Sequence, residues 1–345
     1  AQFFGKGDMD GMRHAFRLKC YFGLLCTAAA IAVYTLFGES FIRSFLQGES
    51  DGGDLALTFQ EGCDYLRIML WGQLPFVIVQ IYAGTLRESG KTIAPMIAGI
   101  FAIVTNLFLN WVLIYGHLGA PALGVQGAAI ATVISRYVEM LIVLIHAHRH
   151  LDQYRFLQGA YRSGYVPAAL LRKVIPTATP LLLNEILWSL GMTFINQLYS
   201  SRGLNAVAAL NITGTAWNLF CVIMFAMGSA VSIMVGQLLG AGQIEEARDV
   251  DRKLIFLTEV IHILIGGTMI LAAPYIPRLY HIGPDVRELT RQLLIVAGLA
   301  LPIHSFAHVT YFTIRSGGRT VITFFFDAVY TWCVTVLLAF LACSR

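Results

Sequence analysis

Long apolar runs separated by short polar, turn-rich segments dominate the pattern of this chain. A helix that crosses a bilayer needs about 20 predominantly apolar residues, and nine runs reach or approach that length. The runs cover residues 20–38, 68–86, 92–115, 124–147, 174–200, 203–244, 260–277, 292–314 and 320–343. The pattern therefore predicts an all-α polytopic membrane protein with nine transmembrane helices, of which 203–244 is one long helix.

Composition and charge agree with a membrane protein and exclude other classes. Charged residues make up 13% of the chain, against about 25% in ordinary soluble domains, and the mean hydropathy is +0.68. The abundance of apolar residues excludes disorder, and six scattered cysteines without metal or disulfide spacing exclude a cysteine scaffold. The net charge of +4 indicates no nucleic-acid partner, because basic residues of membrane proteins collect in the loops of one side.

The loops also predict the orientation. Alternate loops on one side of the nine predicted helices hold sixteen of the 24 lysines and arginines, and the positive-inside rule places that side in the cytoplasm. We therefore expect Ala1 inside and Arg345 outside, in the plasma (inner) membrane.

Two segments recur in the sequence at a nearly constant separation. Residues 1–13 align without a gap on residues 236–248, and residues 85–92 align on residues 313–320. The first alignment matches Gln2, Gly5, Gly7 and Arg13 to Gln237, Gly240, Gly242 and Arg248. Both copies of each segment fall on the predicted cytoplasmic side, so the repeat is parallel, an architecture that transporters use.

The repeat predicts a longer molecule of two lobes. By this symmetry, two helices are expected before Ala1 and one after Arg345, which gives nine of twelve transmembrane helices. We predict an amino-terminal lobe at 1–150 with helices three to six and a carboxy-terminal lobe at 171–345 with helices seven to eleven. Residues 151–170 are the predicted cytoplasmic linker.

These motifs resemble those of the MATE (multidrug and toxic compound extrusion) transporters. The resemblance rests on GQLLGAG at 236–242 with the acidic–basic segment at 245–248, on the Arg–Gly loops at 87–90 and 315–318, and on GVQGAAIAT at 124–132. It implies two lobes that export amphipathic or cationic small molecules in exchange for Na⁺ or H⁺, without a cofactor and as a monomer.

Glu185 is the strongest candidate for a cation site. It lies about eleven residues into an apolar run, where a carboxylate costs a few kcal/mol on insertion scales. A carboxylate at that depth can exchange a proton, a Na⁺ ion and a cationic substrate, although a protonated Glu that holds helices together is the alternative. The family resemblance matches Glu185 to the cation-binding Glu in the seventh helix of some bacterial members.

Other polar residues in the apolar runs complete the candidate set. Asn184 precedes Glu185, and Trp188 shares its helix face, where it either stacks on a flat cation or packs between helices. Asn106 and Asn110 lie on one face of another helix; they match a family Asn/Asp pair used for protons, but Asn110 cannot titrate, and interhelical hydrogen bonding is favoured. Asp327 is a lone acid, either a cavity residue or a partner for another helix.

The remaining polar residues indicate structure more than chemistry. Arg136 and Glu139 are three residues apart, which favours a local ion pair. His304 and His308 lie four apart without an evident third metal ligand, so a packed or cavity-lining pair is favoured over a metal site. No Walker A sequence occurs, which disfavours ATP hydrolysis.

Two alternatives to the antiporter stay open. A flippase for lipid-linked oligosaccharides or peptidoglycan precursors would need cationic side chains in its cavity, and the apolar runs are poor in them apart from Arg136. A membrane-embedded enzyme would need acids, bases or metal ligands that converge near one interface, and the sequence shows no such cluster.

Overall fold

A computed structural model describes residues 1–46, 55–200 and 202–343, and these residues contain helices and no strand. The helices are α1 (Gln2–Gly5), α2 (Met9–Leu46), α3 (Leu55–Trp71), α4 (Gln73–Glu88), α5 (Ile93–Tyr115), α6 (Gly124–Arg149), α7 (Ala168–Ser200), α8 (Leu204–Phe220), α9 (Val222–Gly240), α10 (Ile244–Ala272), α11 (Pro284–Ser316) and α12 (Thr320–Cys343). Within the described ranges, eight helices are long and apolar enough to cross a membrane, and the bent pair α3–α4 makes a ninth. The predicted all-α polytopic class is confirmed. The predicted position of Arg345 falls outside the described residues.

Two predicted helices are interrupted. α3 and α4 meet at Gly72 with a bend of 42°, within the run that the sequence pattern predicts as one helix over residues 68–86. The predicted single helix at 203–244 is divided into α8 and α9 at Cys221, which stays in the right-handed region at φ −83° and ψ −4°. Hydropathy is continuous across both breaks, so it gave no signal of either one.

The structure separates into two compact units. The amino-terminal unit is Gly7–Val166 and contains α2 to α6; the carboxy-terminal unit combines Ala1–Lys6 with Pro167–Arg345 and contains α1 and α7 to α12. The predicted lobes at 1–150 and 171–345 with a linker at 151–170 stay a prediction.

The sequence repeat is also visible in the backbone. Gly90 and Gly318, which occupy equivalent repeat positions, adopt φ values of +75° and +79°. Each glycine follows a helix, and the same hydrogen bond closes the last turn of both helices. The amide of Lys91 donates to the Leu86 carbonyl at 3.0 Å, and the amide of Arg319 donates to the Ile314 carbonyl at 3.4 Å. Glycine is favoured at such helix ends because it has no Cβ atom and therefore adopts a positive φ without a steric penalty.

The two copies of the first motif contact each other inside the carboxy-terminal unit. A Cβ atom built on Gly5 would lie 1.9 Å from the carbonyl oxygen of Gln237, and one built on Gly240 would lie 2.1 Å from that of Gln2. The contact is reciprocal, because each copy's Gly meets the other copy's Gln. Both positions therefore require glycine for the close approach of α1 and α9.

Small residues also bring α10 and α11 together. A Cβ atom on Gly266 would lie 2.5 Å from the Gly298 carbonyl oxygen, and one on Gly298 would lie 2.9 Å from that of Gly266. Membrane helices rely on such close packing, because lipid is as apolar as their side chains and gives little hydrophobic drive. This packing positions α11, which carries part of the candidate site.

Candidate functional site

Asn184 is the centre of a polar cluster in the carboxy-terminal unit. It lies on α7 with 1% of its surface exposed. Its Nδ2 donates to Asp327 Oδ2 at 2.8 Å and to the Tyr311 hydroxyl at 3.3 Å, while its Oδ1 accepts from the Ala328 amide at 3.1 Å. One buried amide therefore connects α7, α11 and α12, and satisfies a backbone donor as well as a carboxylate.

The backbone of α12 is unusual where it meets Asn184. Phe325–Val329 and Thr331–Val336 are π-helical, a rare conformation that often marks functional sites. Asp327 and Ala328 both lie in the first of these segments. The widened turn presents a carboxylate and an amide side by side, and the Asn184 side chain matches them with its donor and its acceptor.

Glu185 follows Asn184 but points to a different environment. Its side chain is 61% exposed, and its Oε1 lies 3.8 Å from Nη1 of Arg315 in the last turn of α11. The Arg315 guanidinium also lies over the Phe312 ring, 5.6 Å from its centroid. Glu185 thus has an accessible carboxylate with one cationic neighbour, whereas its predicted depth in the bilayer stays a prediction.

Trp188 lies one turn beyond Glu185 on α7. It is 44% exposed. A neighbouring indole, Trp332, donates from Nε1 to the Leu187 carbonyl at 2.9 Å and stacks near Phe194. The predicted stacking of Trp188 on a cation stays a prediction.

Asn106 and Asn110 form a separate cluster in the amino-terminal unit. Asn110 Nδ2 donates to Asn106 Oδ1 at 3.0 Å, and Asn106 Nδ2 donates across to Thr132 on α6 at 3.4 Å. The Asn110 Oδ1 is buried without a hydrogen-bond partner. Asn106 therefore makes the interhelical hydrogen bond that the sequence favours, whereas the bond from Asn110 lies within α5.

The predicted ion pair between Arg136 and Glu139 is wrong. Arg136 Nη1 instead donates to the Gly72 carbonyl at 3.2 Å, and its guanidinium lies 5.0 Å from the centre of the Phe76 ring. The Gly72 carbonyl also accepts from the Phe76 amide at 3.3 Å, so the arginine adds a second hydrogen bond to this carbonyl where α3 and α4 meet.

The histidine pair on α11 is packed among aromatic rings. His304 lies 5.3 Å from Trp217, and His308 lies 5.4 Å from Phe225 and 5.0 Å from Phe312. Across the described ranges, no group of three His, Cys, Asp or Glu side chains is arranged to hold a metal ion.

The chain is similar in sequence to a known family of proteins. The sequence profile of the MatE family matches residues 1–112 and 180–341. The chain belongs to the MatE family. Members of this family are transporters rather than enzymes, and together with the apolar helices the match identifies an integral membrane protein.

Individual relatives are distant but cover most of this MatE chain. It is 24% identical over 299 residues, 86% of the chain, to the probable multidrug resistance protein NorM of Thermotoga maritima, and it spans 61% of that relative's length. A multidrug resistance MATE transporter solved in an outward-facing conformation superposes with a TM-score of 0.81 at 20% identity, over 98% of this chain and 72% of the other. A variant of the Vibrio cholerae transporter VcmN gives 0.81 at 20% identity, over 96% and 72%. At this identity the structures establish the fold.

Three groups of the site in this MatE chain have no signal in the sequence. Tyr311 and Arg315 lie one helical turn apart on α11, and the Ala328 amide is a backbone group. Arg315 drew attention only as part of a repeated loop motif and as a basic residue at a helix end, which is the usual feature of a cytoplasmic loop. Only the packing of α7 against α11 and α12 brings these groups to Asn184 and Glu185.

Proposed function

We propose that this protein exports amphipathic or cationic small molecules in exchange for Na⁺ or H⁺, with Glu185 as the cation-binding carboxylate. The observation that carries the proposal is the arrangement around Asn184, which fixes Asp327 at 2.8 Å and leaves the carboxylate of the next residue exposed. The MatE family match and the likeness to NorM support the transport class. In this proposal a single polypeptide carries out transport, and it resides in the plasma membrane of a bacterium.

The two carboxylates take different roles in this proposal. Asp327 receives a hydrogen bond from a buried amide, which stabilises its position and part of its charge. Glu185 has no hydrogen bond to a neutral donor among the described residues, and its cationic neighbour lies at 3.8 Å, beyond hydrogen-bond range. Glu185 is therefore the carboxylate whose charge is available to an incoming cation, and Asp327 adds to the negative potential beside it.

Coupling follows from competition for this charge. A proton or Na⁺ that binds Glu185 cancels the attraction for a cationic substrate, so binding of the coupling ion favours substrate release. Alternating access of the two parallel-repeat lobes would expose the same site to each side in turn. The return with a neutralised carboxylate avoids moving an uncompensated charge through the low-dielectric interior.

Ethidium efflux from cells that express the full-length protein tests the proposal. We expect Glu185→Gln to abolish efflux while membrane insertion stays at the wild-type level, because the amide keeps the shape of the side chain but cannot exchange a cation. Collapse of the Na⁺ gradient and of the proton gradient in separate experiments identifies the coupling ion.

Glu246→Gln is the matched control, since Glu246 is an exposed acid in the first turn of α10. It removes the same charge and should leave efflux unchanged. Wild-type efflux by Glu185→Gln contradicts the assignment of Glu185. Absence of gradient-dependent efflux from the wild-type protein contradicts the antiporter and favours the flippase.

A further inference from the structure

Arg315 is the only basic side chain within ion-pair distance of Glu185 in the part of the chain that the structure describes. The two charged groups lie on different helices, α11 and α7, and approach to 3.8 Å. The guanidinium rests over the Phe312 ring at 5.6 Å, on the residue one helical turn earlier. A planar guanidinium is well suited to such a position, because it is weakly hydrated and is attracted by the face of an aromatic ring.

The pair is loose by its geometry. At 3.8 Å the contact lacks a hydrogen bond, and 32% of the Arg315 side chain and 61% of the Glu185 side chain are exposed. A bidentate, buried pair would hold the carboxylate permanently, whereas an exposed pair without a hydrogen bond exchanges its partner at little cost. The Phe312 ring still contacts the guanidinium through a cation–π interaction after the guanidinium leaves the carboxylate.

We propose that Arg315 is a tethered cation that occupies the Glu185 carboxylate when no transported cation is bound there. This inference rests on the proposed function, because it assigns the ligand that a proton, a metal ion or a cationic substrate must displace. Arg315 acts through Glu185 and is therefore an affinity-setting residue. It keeps the empty carboxylate from standing unpaired, and it lowers the affinity for every cation that competes for this site.

Equilibrium binding of ethidium to the purified full-length protein, followed by fluorescence anisotropy, tests the tether. Exposed ion pairs contribute at most about 1 kcal/mol, which corresponds to about fivefold in a binding constant. We therefore expect Arg315→Gln to tighten ethidium binding two- to about fivefold. Arg315→Lys should bind ethidium almost as the wild type does, because it keeps the charge.

The Glu185→Gln background separates a tether from a general electrostatic effect. Removal of Arg315 should change ethidium affinity only when the carboxylate is present, so Arg315→Gln combined with Glu185→Gln should bind as Glu185→Gln alone. Tightening of equal size in both backgrounds would overturn the inference. Arg319→Gln removes a nearby positive charge that has no ion pair with a described residue, and it should leave affinity within twofold of wild type.

The outcomes distinguish this inference from the proposed function. If Glu185→Gln does not weaken ethidium binding, the proposed function fails. If Glu185→Gln weakens binding but Arg315→Gln leaves it unchanged or also weakens it, only the tether is overturned. Should Arg315→Gln fail to fold, Arg315→Met provides a second neutral variant, since its stem can still pack on Phe312.

Discussion

Replacement of Asn184 by leucine tests the geometry of the site without reference to transport. Leucine has the same branching and the same number of side-chain heavy atoms as asparagine, but none of its hydrogen-bonding groups. It removes the 2.8 Å bond to Asp327, the 3.3 Å bond to Tyr311 and the 3.1 Å bond from the Ala328 amide. The Ala328 amide and the Asp327 carboxylate then lose partners in a region that α7 shields from solvent.

The size of the effect follows from these three bonds. A hydrogen bond to a charged group contributes about 1.5–3 kcal/mol and a neutral one about 0.5–1.5 kcal/mol in water-soluble proteins. Between membrane helices the measured values are smaller, about 0.6 kcal/mol on average and about 1.7 at most. We therefore expect Asn184→Leu to lower the free energy of unfolding by about 2–4 kcal/mol, with most of the loss at the carboxylate and the buried amide.

The measurement is reversible unfolding of the purified protein in mixed micelles, followed by the loss of helical circular dichroism. Asn211→Leu is the matched control, because Asn211 is exposed on α8 and the chemical change is identical. The control should stay within about 0.5 kcal/mol of wild type. If Asn184→Leu unfolds with the same free energy as this control, the hydrogen bonds of the cluster do not stabilise the protein and the reasoning is refuted.

Two further predictions concern a glycine of the repeated motif and a buried arginine. Gly240→Ala should lower the free energy of unfolding by about 1–3 kcal/mol, because its Cβ atom would lie 2.1 Å from the Gln2 carbonyl oxygen. Gly267→Ala is the control and should not lower it, because the space around its Cβ atom is open. Equal thermal midpoints of the two variants in detergent would contradict the close contact. Arg17 is buried and donates to three carbonyls of residues 159–165. Arg17→Lys should therefore raise the rate of tryptic cleavage in residues 159–165 about tenfold, whereas Arg149→Lys, at an exposed position, is the control. Equal cleavage rates in the two variants would show that these hydrogen bonds do not hold the segment in place.

The sequence identifies three members of the site but not their arrangement. Asn184, Glu185 and Asp327 stand out because a polar residue in an apolar run needs a partner or a function. The pairing of Asn184 with Asp327 spans 143 positions and depends on how α7 packs against α12, which no local pattern records. The role of Arg315 was not predicted for a different reason, because a basic residue at the end of a membrane helix is already explained by the positive-inside rule.

Backbone irregularities were equally invisible. The break at Cys221 and the π-helical part of α12 lie inside continuous apolar sequence, and hydropathy reports the surroundings of a side chain but not the register of backbone hydrogen bonds. The hydrogen bond from Arg136 to the Gly72 carbonyl had no signal either, because it joins residues 64 positions apart.

The equivalent loops of the two repeats share a backbone conformation, whereas the polar clusters of the two units differ in charge. The backbone of the equivalent loops is the same, with left-handed glycines at positions 90 and 318. The amino-terminal cluster consists of Asn106, Asn110 and Thr132, all neutral, whereas the carboxy-terminal cluster contains the Asp327 carboxylate and has the exposed Glu185 carboxylate and the Arg315 guanidinium beside it. Amides can orient a ligand but cannot take up a proton or cancel the charge of a cation. Under the proposed function, Asn106, Asn110 and Thr132 therefore contribute hydrogen bonds, whereas Glu185 can exchange charge.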